Sequence, residues 1–360
     1  MIHKTGIDSF LSLSRHFPIL DVRSPGEYTQ AHIPGACAFS LFSDEERKVV
    51  GTAYKAEGRE KAIKIGLDYF GVKMRGLVEE AERIIIDHKA KRLKEPTDLP
   101  DNTVLVHCWR GGMRSEGIAW LLDLYGFNVY LLSGGYKAFR HWVLKKLEEP
   151  RTFNIIGGYT GSGKTGIIKE LMNTGQPVID LEGIARHKGS AFGGLGEDAQ
   201  PTQEMFENEL AFALEAVWAN HLSEAIWLED ESRRIGLINI PDAIYNAMYR
   251  SVVYFIDVPF EARLRHITMS YGLFEKEELI KAVTRIQKRL GGLNAKNATR
   301  LLQEENYTEA FRTLLHYYDK YYTKDLKKRE EANNTQVIIT CSDIDAKMNS
   351  ELLLAQKTMA

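Results

Sequence analysis

The sequence predicts an α/β protein: two successive α/β units, the second carrying a mostly helical C-terminal extension. Three observations carry that expectation. Short apolar runs alternate with longer helix-patterned segments, the arrangement of a mostly parallel sheet covered by helices on both faces. The string Glu148-Glu149-Pro150 interrupts this alternation, and a fresh apolar run starts at Phe153. A glycine-rich string at 158–165 then sits between an apolar run and a helix-like segment.

Taken in order, Pro18-Ile19-Leu20-Asp21-Val22 is the first strand candidate. Gly35-Ala36-Cys37-Ala38-Phe39 follows a Pro34-Gly35 turn and is the second. Residues 44–91, rich in Glu, Lys, Ala, Ile and Leu, read as helices, and 94–102, with two prolines, as a loop. Thr103-Val104-Leu105-Val106-His107 is a short buried strand with Cys108 directly after it. A helix at 116–125, a strand at 129–132 and a helix at 136–147 complete a first domain of residues 1–148. The second domain, 151–274, has strand candidates at 153–156, 176–180, 225–228 and 252–258, with helices between them. Residues 275–360 are mostly helical and rich in Lys and Arg, with a late strand at 336–340, and are expected to pack on the second domain.

Composition narrows the function classes. Of 360 residues, 44% are hydrophobic and 27% charged, so each unit can bury a core of its own. A formal net charge of −2 excludes a global basic field, and a polyanion would have to bind through local patches. Cys37, Cys108 and Cys341 lie far apart and form no CxxC pair, which argues against a disulfide framework or a zinc site. Met1-Ile2-His3-Lys4 does not lead into an apolar run, and no apolar stretch approaches a membrane span. The expectation is a cytoplasmic protein with no membrane partner and no tightly bound cofactor.

Two motifs carry chemistry. Gly158-Tyr159-Thr160-Gly161-Ser162-Gly163-Lys164-Thr165 satisfies G-x-x-x-x-G-K-[ST] between a strand and a helix. Its glycines, Gly158, Gly161 and Gly163, let backbone N–H groups, including that of Ser162, curl round an anion at a helix N-terminus. Lys164 would reach a terminal phosphate, and Thr165 would ligate magnesium. Asp180, Glu229 and Asp230 follow strand candidates and read either as acids that hold or orient that metal or as solvated acids at strand ends. Segment 186–193 (Arg-His-Lys-Gly-Ser-Ala-Phe-Gly), basic and glycine-rich, reads first as an anion-contacting loop and next as a mobile surface loop. Arg233-Arg234 reads as a phosphate clamp or a solvated face.

The second motif is Cys108-Trp109-Arg110-Gly111-Gly112-Met113-Arg114-Ser115, again between a strand and a helix. Loop N–H groups and the helix N-terminus depress a thiol pKa there and cradle an anion. Arg110 and Arg114 add positive charge, making Cys108 the candidate nucleophile. Cys37 and Cys341 sit in apolar strand-like stretches and read as inert.

Leu20-Asp21-Val22-Arg23-Ser24-Pro25-Gly26-Glu27-Tyr28 and Ala31-His32-Ile33-Pro34-Gly35-Ala36 closely resemble the first signature of rhodanese-type domains. With the Cys108 loop, the resemblance covers about residues 10–147, and it implies sulfur or selenium carriage on the cysteine. There is one departure: five residues separate Cys108 from Arg114, where the usual sulfurtransferase loop has four. That makes a wider cup, as in the related phosphatase and arsenate-reductase branch, and puts simple thiosulfate sulfurtransferase activity in doubt.

A rhodanese-type domain followed by a P-loop domain, with the strings Cys-Trp-Arg-Gly-Gly-Met-Arg-Ser, Gly-Tyr-Thr-Gly-Ser-Gly-Lys-Thr and His-Lys-Gly-Ser-Ala-Phe-Gly, resembles the tRNA 2-selenouridine synthase family over nearly the whole chain. The resemblance implies action on 2-thiouridine at the wobble position of tRNA. It implies S-geranylation from geranyl diphosphate, then replacement of the geranylated sulfur by selenium from selenophosphate. The P-loop need not then hydrolyse ATP, since its cup recognises any polyphosphate, and the diphosphate of the prenyl donor is its expected guest. Cys108, Arg110, Gly111, Gly112 and Arg114 would hold selenophosphate, and an enzyme supplying selenophosphate is an expected partner. For the tRNA anticodon region, the candidate surface is the tail set Arg285, Lys288, Arg289, Lys296, Arg300, Lys324, Lys327, Lys328 and Arg329. Tyr317, Tyr318, Tyr321 and Tyr322 are interleaved for base stacking, or form a buried aromatic stripe. Three other readings stay open on the residues alone: a small-molecule P-loop kinase with an appended sulfurtransferase domain, a phosphatase or arsenate reductase, and a nucleotide-gated binding module.

Overall fold

The computed structural model describes residues 1–91, 97–221, 224–331 and 335–359. It forms two compact units, one of Met1–Lys146 with Glu207–Glu209, the other of Leu147–Phe206 with Leu210–Ala360.

The first unit runs β1 (Ile2–Thr5), α1 (Ile7–Leu13), β2 (Ile19–Asp21), α2 (Pro25–Gln30), β3 (Cys37–Ala38), α3 (Asp44–Ala56), α4 (Arg59–Lys91), β4 (Thr103–His107), α5 (Met113–Tyr125), β5 (Asn128–Leu132) and α6 (Gly135–Glu148). All five strands pair in parallel, in the order β1-β5-β4-β2-β3. The central strands β2 and β4 are buried along their whole length, which their unbroken apolar runs demand. β1 has no apolar run to announce it: Ile-His-Lys-Thr forms an edge strand with only partial burial. Ser24 and Glu27 form a capping box that starts α2, and Ser43 and Glu46 form another for α3. The expected loop at 94–102 starts outside the described residues, at 94–96; its described remainder is irregular.

In the second unit, β6 (Phe153–Gly158) leads into α7 (Lys164–Asn173), then α8 (Leu181–Ala185), α9 (Gln203–Asn220) and β7 (Ile226–Glu229). An antiparallel pair, β8 (Arg234–Ile235) and β9 (Ile238–Asn239), precedes α10 (Asp242–Arg250), β10 (Val252–Asp257) and α11 (Phe260–Tyr271). The extension is α12 (Lys276–Leu290), α13 (Gly292–Gln303), α14 (Tyr307–Glu331), β11 (Gln336–Thr340) and α15 (Ala346–Met359). Its β11 joins the main sheet, which is parallel in the order β11-β10-β6-β7. α12–α14 share an apolar core with Leu264 and Ile267 of α11. The strand expected at 176–180 is a correction: only an isolated bridge between Val178 and Trp227 forms. Pro177 has no N–H to donate, and Asp180 is already the cap of α8, so no room is left for a ladder.

Candidate functional site

In the first unit, β4 ends at His107 and delivers Cys108 to the N-terminal end of α5. The thiol is buried, and Ser115, one turn into the helix, donates its hydroxyl to Cys108 Sγ at 3.1 Å. Burial pushes the thiol pKa up. The Ser115 hydroxyl, the backbone N–H groups of Ser115 and Arg110, and the Arg114 charge outweigh it, so the net shift is downward. The loop is shaped by a second turn. Gly135 follows β5 at φ 57°, and a Cβ there would come within 2.3 Å of the Cys108 carbonyl oxygen and 2.5 Å of the Gly111 nitrogen. In return, the Tyr136 and Lys137 N–H groups donate to the carbonyls of Cys108 and Trp109 at 2.8 and 3.0 Å. Gly111 itself needs φ 68°.

Arg114 does not hang free. Its Nη1 and Nη2 reach Glu27 Oε2 and Oε1 at 2.6 and 3.3 Å. Burial raises the Glu27 carboxyl, but the Arg114 hydrogen bonds and charge hold it below the usual carboxylate range. Arg110 is exposed in the loop, beside the half-buried Gly111 and Gly112. Beneath the loop, Asp21 and Arg23 form a buried, fork-like ion pair at 2.6–3.0 Å, with the Arg23 guanidinium 3.8 Å above the Tyr136 ring and His107 Nε2 3.7 Å from Asp21. Cys341 is buried in the second unit with its thiol pKa raised, and Cys37 is half-buried in β3.

The P-loop site lies wholly in the second unit. It opens into a cavity of about 1000 Å³ lined by Thr160–Gly166, Glu182, Asp230, Glu231 and aromatic residues of α11 and α14. Gly158 at φ 154° passes so close to Ser162 that a Cβ would meet its hydroxyl at 2.5 Å. Gly161 and Gly163 adopt φ 80°, each packed against an isoleucine, Ile267 and Ile344. Lys164 Nζ donates to the Gly158 carbonyl at 3.1 Å and lies 5.7 Å from the Tyr322 ring centroid. Burial pulls the Lys164 pKa down. Tyr322, Glu182, Glu231 and Asp230 push it up by more, so the ammonium stays charged.

Thr165 donates its hydroxyl to Glu182 Oε2 at 3.2 Å. Glu182 and Glu231 both have raised pKa values through burial, and the Glu182 charge pushes Glu231 well up. Gly189 at φ 63° makes room for this pair: a Cβ there would lie 2.5 Å from Glu231 Oε2. Of the other acids, Asp180 caps α8 by accepting from Gly183 N–H at 2.6 Å. Glu229 is fully buried and accepts from Leu181 N–H at 3.1 Å, its pKa raised well above normal by burial and by the Asp180 and Glu182 charges. Asp230 pairs with Arg329 of α14 at 2.6 Å.

Segment 186–193 is a pinned turn rather than a mobile loop. Lys188 N–H donates to the Gly193 carbonyl at 2.9 Å, and Phe192 is buried in the α11–α14 core. Its Lys188, Gly189 and Ser190 line the cavity. Arg233 pairs with Asp242 on the surface, and neither it nor Arg234 is among the residues that line the cavity. In the tail, Arg285, Lys288, Arg289, Lys296, Arg300, Lys324, Lys327 and Lys328 are exposed. Arg329 departs from the expected surface set: it is buried against Asp230. Tyr318, Tyr321 and Tyr322 line the cavity, while Tyr317 packs on the α11–α14 core.

Sequence reasoning missed Ser115, Glu27, Gly135, Glu182 and Glu231 as site residues, and it offered Tyr322 for base stacking rather than for the P-loop, where its ring lies 5.7 Å from Lys164 Nζ. Nothing in the local string at 24–27 signals that Glu27 pairs with Arg114, 87 residues away. Glu182 and Glu231 each lie one or two residues beyond the acids singled out at strand ends.

Residues 151–342 match the family model described as the tRNA 2-selenouridine synthase AAA domain, and residues 7–141 match that of the rhodanese-like domain. Among curated relatives, each named tRNA 2-selenouridine synthase, one from Nitrosomonas europaea is 38% identical over 74% of this chain and 67% of its own length. One from Nitrosomonas eutropha is 31% identical, covering 87% of this chain and 89% of the relative. One from Bdellovibrio bacteriovorus is 33% identical, covering 88% and 90%.

Proposed function

The chain belongs to the tRNA 2-selenouridine synthase family, and on that premise we propose that it converts wobble 2-thiouridine of tRNA to 2-selenouridine through an S-geranylated intermediate. The observation that carries the two-step reading is the presence of two separately built anion sites of different chemistry. One has a nucleophile, the buried low-pKa Cys108 thiol. The other has a polyphosphate cup and opens into a large, partly aromatic cavity with no cysteine among the described residues that line it.

In the first step, the P-loop amides, Lys164 and Thr165 hold the diphosphate of geranyl diphosphate. The thiocarbonyl sulfur attacks geranyl C1, the C–O bond breaks, and pyrophosphate leaves with the electron pair. The base then loses its N3 proton. Charge growing on the departing pyrophosphate meets the Lys164 ammonium and the loop N–H groups, which is where preorganised donors accelerate most. Among the described residues, no group of three or more His, Cys, Asp or Glu is placed to hold a metal ion. The oxygen donors Thr165 and Glu182 nevertheless fit magnesium, which takes one or two protein oxygens and completes its shell with water and substrate phosphates. Bound there, it would neutralise diphosphate charge.

In the second step, alkylated sulfur is a good leaving group where thiocarbonyl sulfur is not. A selenium nucleophile from selenophosphate adds at C2, geranylthiol departs, and the phosphorus–selenium bond is hydrolysed to phosphate. Arg110, Gly111, Gly112 and Arg114 hold the anion, and the Cys108 thiolate assists selenium delivery. The two arginines serve where planar, fork-like donors match a tetrahedral oxyanion.

The test is nucleoside mass analysis of 2-thiouridine tRNA incubated with the protein and geranyl diphosphate, then with selenophosphate. Lys164→Ala should abolish geranylation. Cys108→Ser should keep geranylation and lose selenation of pre-geranylated tRNA. An unchanged nucleoside under both conditions would sink the proposal and turn attention to ATP turnover.

A further inference from the structure

The geometry points to a hydrocarbon subsite beside the P-loop, formed by Ile267, Tyr271, Phe274 and Tyr318 and closed by Phe274, that selects a ten-carbon prenyl chain over longer ones. It rests on the geranylation reading and adds to it where the chain lies and what measures it. α11 and α14 are locked together by a two-pronged Arg263–Asp319 pair at 2.9 and 2.8 Å, and Arg263 also donates to the P-loop carbonyl of Thr160 at 3.3 Å. The wall these helices form is therefore fixed to the phosphate cup.

Each helix presents two residues four apart, hence on one face. At the phosphate end, a Cβ on Gly161 would meet Ile267 Cδ1 at 2.6 Å, so that side chain touches the loop. Tyr322 stands 5.7 Å from Lys164 Nζ at the same end. One turn along, about 6 Å, come Tyr271 on α11 and Tyr318 on α14, both lining the cavity. Burial raises both tyrosine pKa values, keeping the rings uncharged. The Phe274 ring centroid lies 6.0 Å from that of Tyr271. It is braced from behind, since a Cβ on Gly196 would reach Phe274 Cζ at 2.8 Å.

The four-residue rise from Ile267 to Tyr271, about 6 Å, and the 6.0 Å between the Tyr271 and Phe274 rings together give a path of about 12 Å from the loop to Phe274. With carbon–carbon bonds of about 1.5 Å, the eight-carbon main chain of a geranyl group extends to about 9 Å and the twelve-carbon main chain of a farnesyl group to about 14 Å. The first fits short of Phe274 and the second does not. Aromatic faces supply large apolar contact to an alkene chain.

The experiment measures kcat/KM for dimethylallyl, geranyl and farnesyl diphosphates on 2-thiouridine tRNA, read as S-prenylated nucleoside, for the wild-type chain, Phe274→Ala and Phe274→Trp. Inorganic pyrophosphate binding by calorimetry checks that the cup is intact in each variant. The wild-type chain should prefer geranyl over farnesyl by at least about ten-fold. Phe274→Ala should raise the farnesyl-to-geranyl ratio by at least about ten-fold, and Phe274→Trp should shift preference toward dimethylallyl. Should one variant fail to bind pyrophosphate, the other still decides. Prenyl transfer with the same chain-length ratio in a pyrophosphate-binding variant overturns the subsite alone. A wild-type chain that binds pyrophosphate but transfers no prenyl group overturns the geranylation reading, and the subsite with it.

Discussion

The Arg114 guanidinium is clamped by the Glu27 carboxylate through two hydrogen bonds, at 2.6 and 3.3 Å, across 87 residues of chain. The clamp fixes the plane of a guanidinium at the mouth of the Cys108 loop. Its energetic worth is modest because both groups keep some solvent contact. Its worth for geometry is larger, since a misplaced anion-holding group costs rate steeply. Glu27→Gln should therefore lower kcat/KM for selenophosphate by about ten-fold or more, with geranyl transfer unchanged. Steady-state assays of the two half-reactions check this. Equal selenation by the variant would mean that Arg114 is placed by other contacts.

Ser115 should set the thiol. Its hydroxyl lies 3.1 Å from Cys108 Sγ and favours the thiolate against burial. Removing a hydrogen bond to a charged group costs roughly 1.5 kcal/mol, about one pKa unit. In the wild-type chain, the pH profile of Cys108 alkylation by iodoacetamide should lie below the ordinary thiol range. In Ser115→Ala it should move up by about one unit, cutting the neutral-pH rate roughly ten-fold. Peptide mass mapping separates Cys108 from Cys37 and Cys341. An unmoved profile would assign the low pKa to the loop amides and Arg114 alone.

These two predictions mark the limit of what the sequence could tell. Local motifs were legible because each states its own geometry: Gly161, Gly163, Lys164 and Thr165 form a phosphate cup wherever a strand meets a helix. Cys108 was legible for the same reason. Partners brought in from a distance were not. Glu27 and Gly135 shape the cysteine loop only because the parallel sheet places β2, β4 and β5 side by side. Tyr318 and Tyr322 looked equally like a solvent-facing stacking platform or a buried stripe, and their cavity-facing role follows from α14 packing on α11. The strand expected at 176–180 fails because Val178 and Ile179 suggest a strand while Pro177 cannot donate to a ladder and Asp180 caps α8.

Gly189 should matter to the P-loop without belonging to it. Its φ of 63° disfavours any side chain, by about 1–2 kcal/mol, and a Cβ would overlap Glu231 Oε2. Gly189→Ala should push the Glu231 carboxyl out of its place beside Glu182 and weaken pyrophosphate binding by at least about ten-fold, while Tm falls by only a few degrees. Calorimetric titration and thermal melting together check it. Unimpaired pyrophosphate binding would show that the Glu182–Glu231 pair does not organise the cup.

Asp21 and Arg23 should dominate the acid sensitivity of the first unit. Burial raises the Asp21 carboxyl, but His107 and Arg23 outweigh it and hold it below the usual carboxylate range. A carboxyl whose pKa is lower folded than unfolded stabilises the fold above its unfolded pKa. That stability is lost as pH falls through the folded value. Asp21→Asn leaves Arg23 buried without its counter-charge, and should cost about 3–5 kcal/mol near neutral pH. The penalty should shrink as the wild-type chain is acidified. Urea denaturation at several pH values, followed by far-ultraviolet circular dichroism for the wild-type chain and Asp21→Asn, gives the comparison.

The exposed basic residues of the extension yield the last prediction. Arg289 on α12, Lys296 on α13 and Lys327 on α14 carry their charges into solvent, Lys328 is exposed where it lines the P-loop cavity, and Arg329 spends its charge on Asp230 inside that cavity. If the first four contact tRNA phosphates, each loss removes one released counterion. Arg289→Ala with Lys296→Ala should then weaken tRNA binding and reduce the slope of log K against log salt by about 0.7–0.9 per contact. Arg329→Ala should instead leave that slope unchanged and impair geranyl transfer, because it frees Asp230 to disturb the diphosphate end of the site. Filter binding at four salt concentrations distinguishes the two behaviours. A slope that changes for Arg329→Ala but not for the surface pair would move the tRNA contact from the outer face of the extension to the mouth of the cavity.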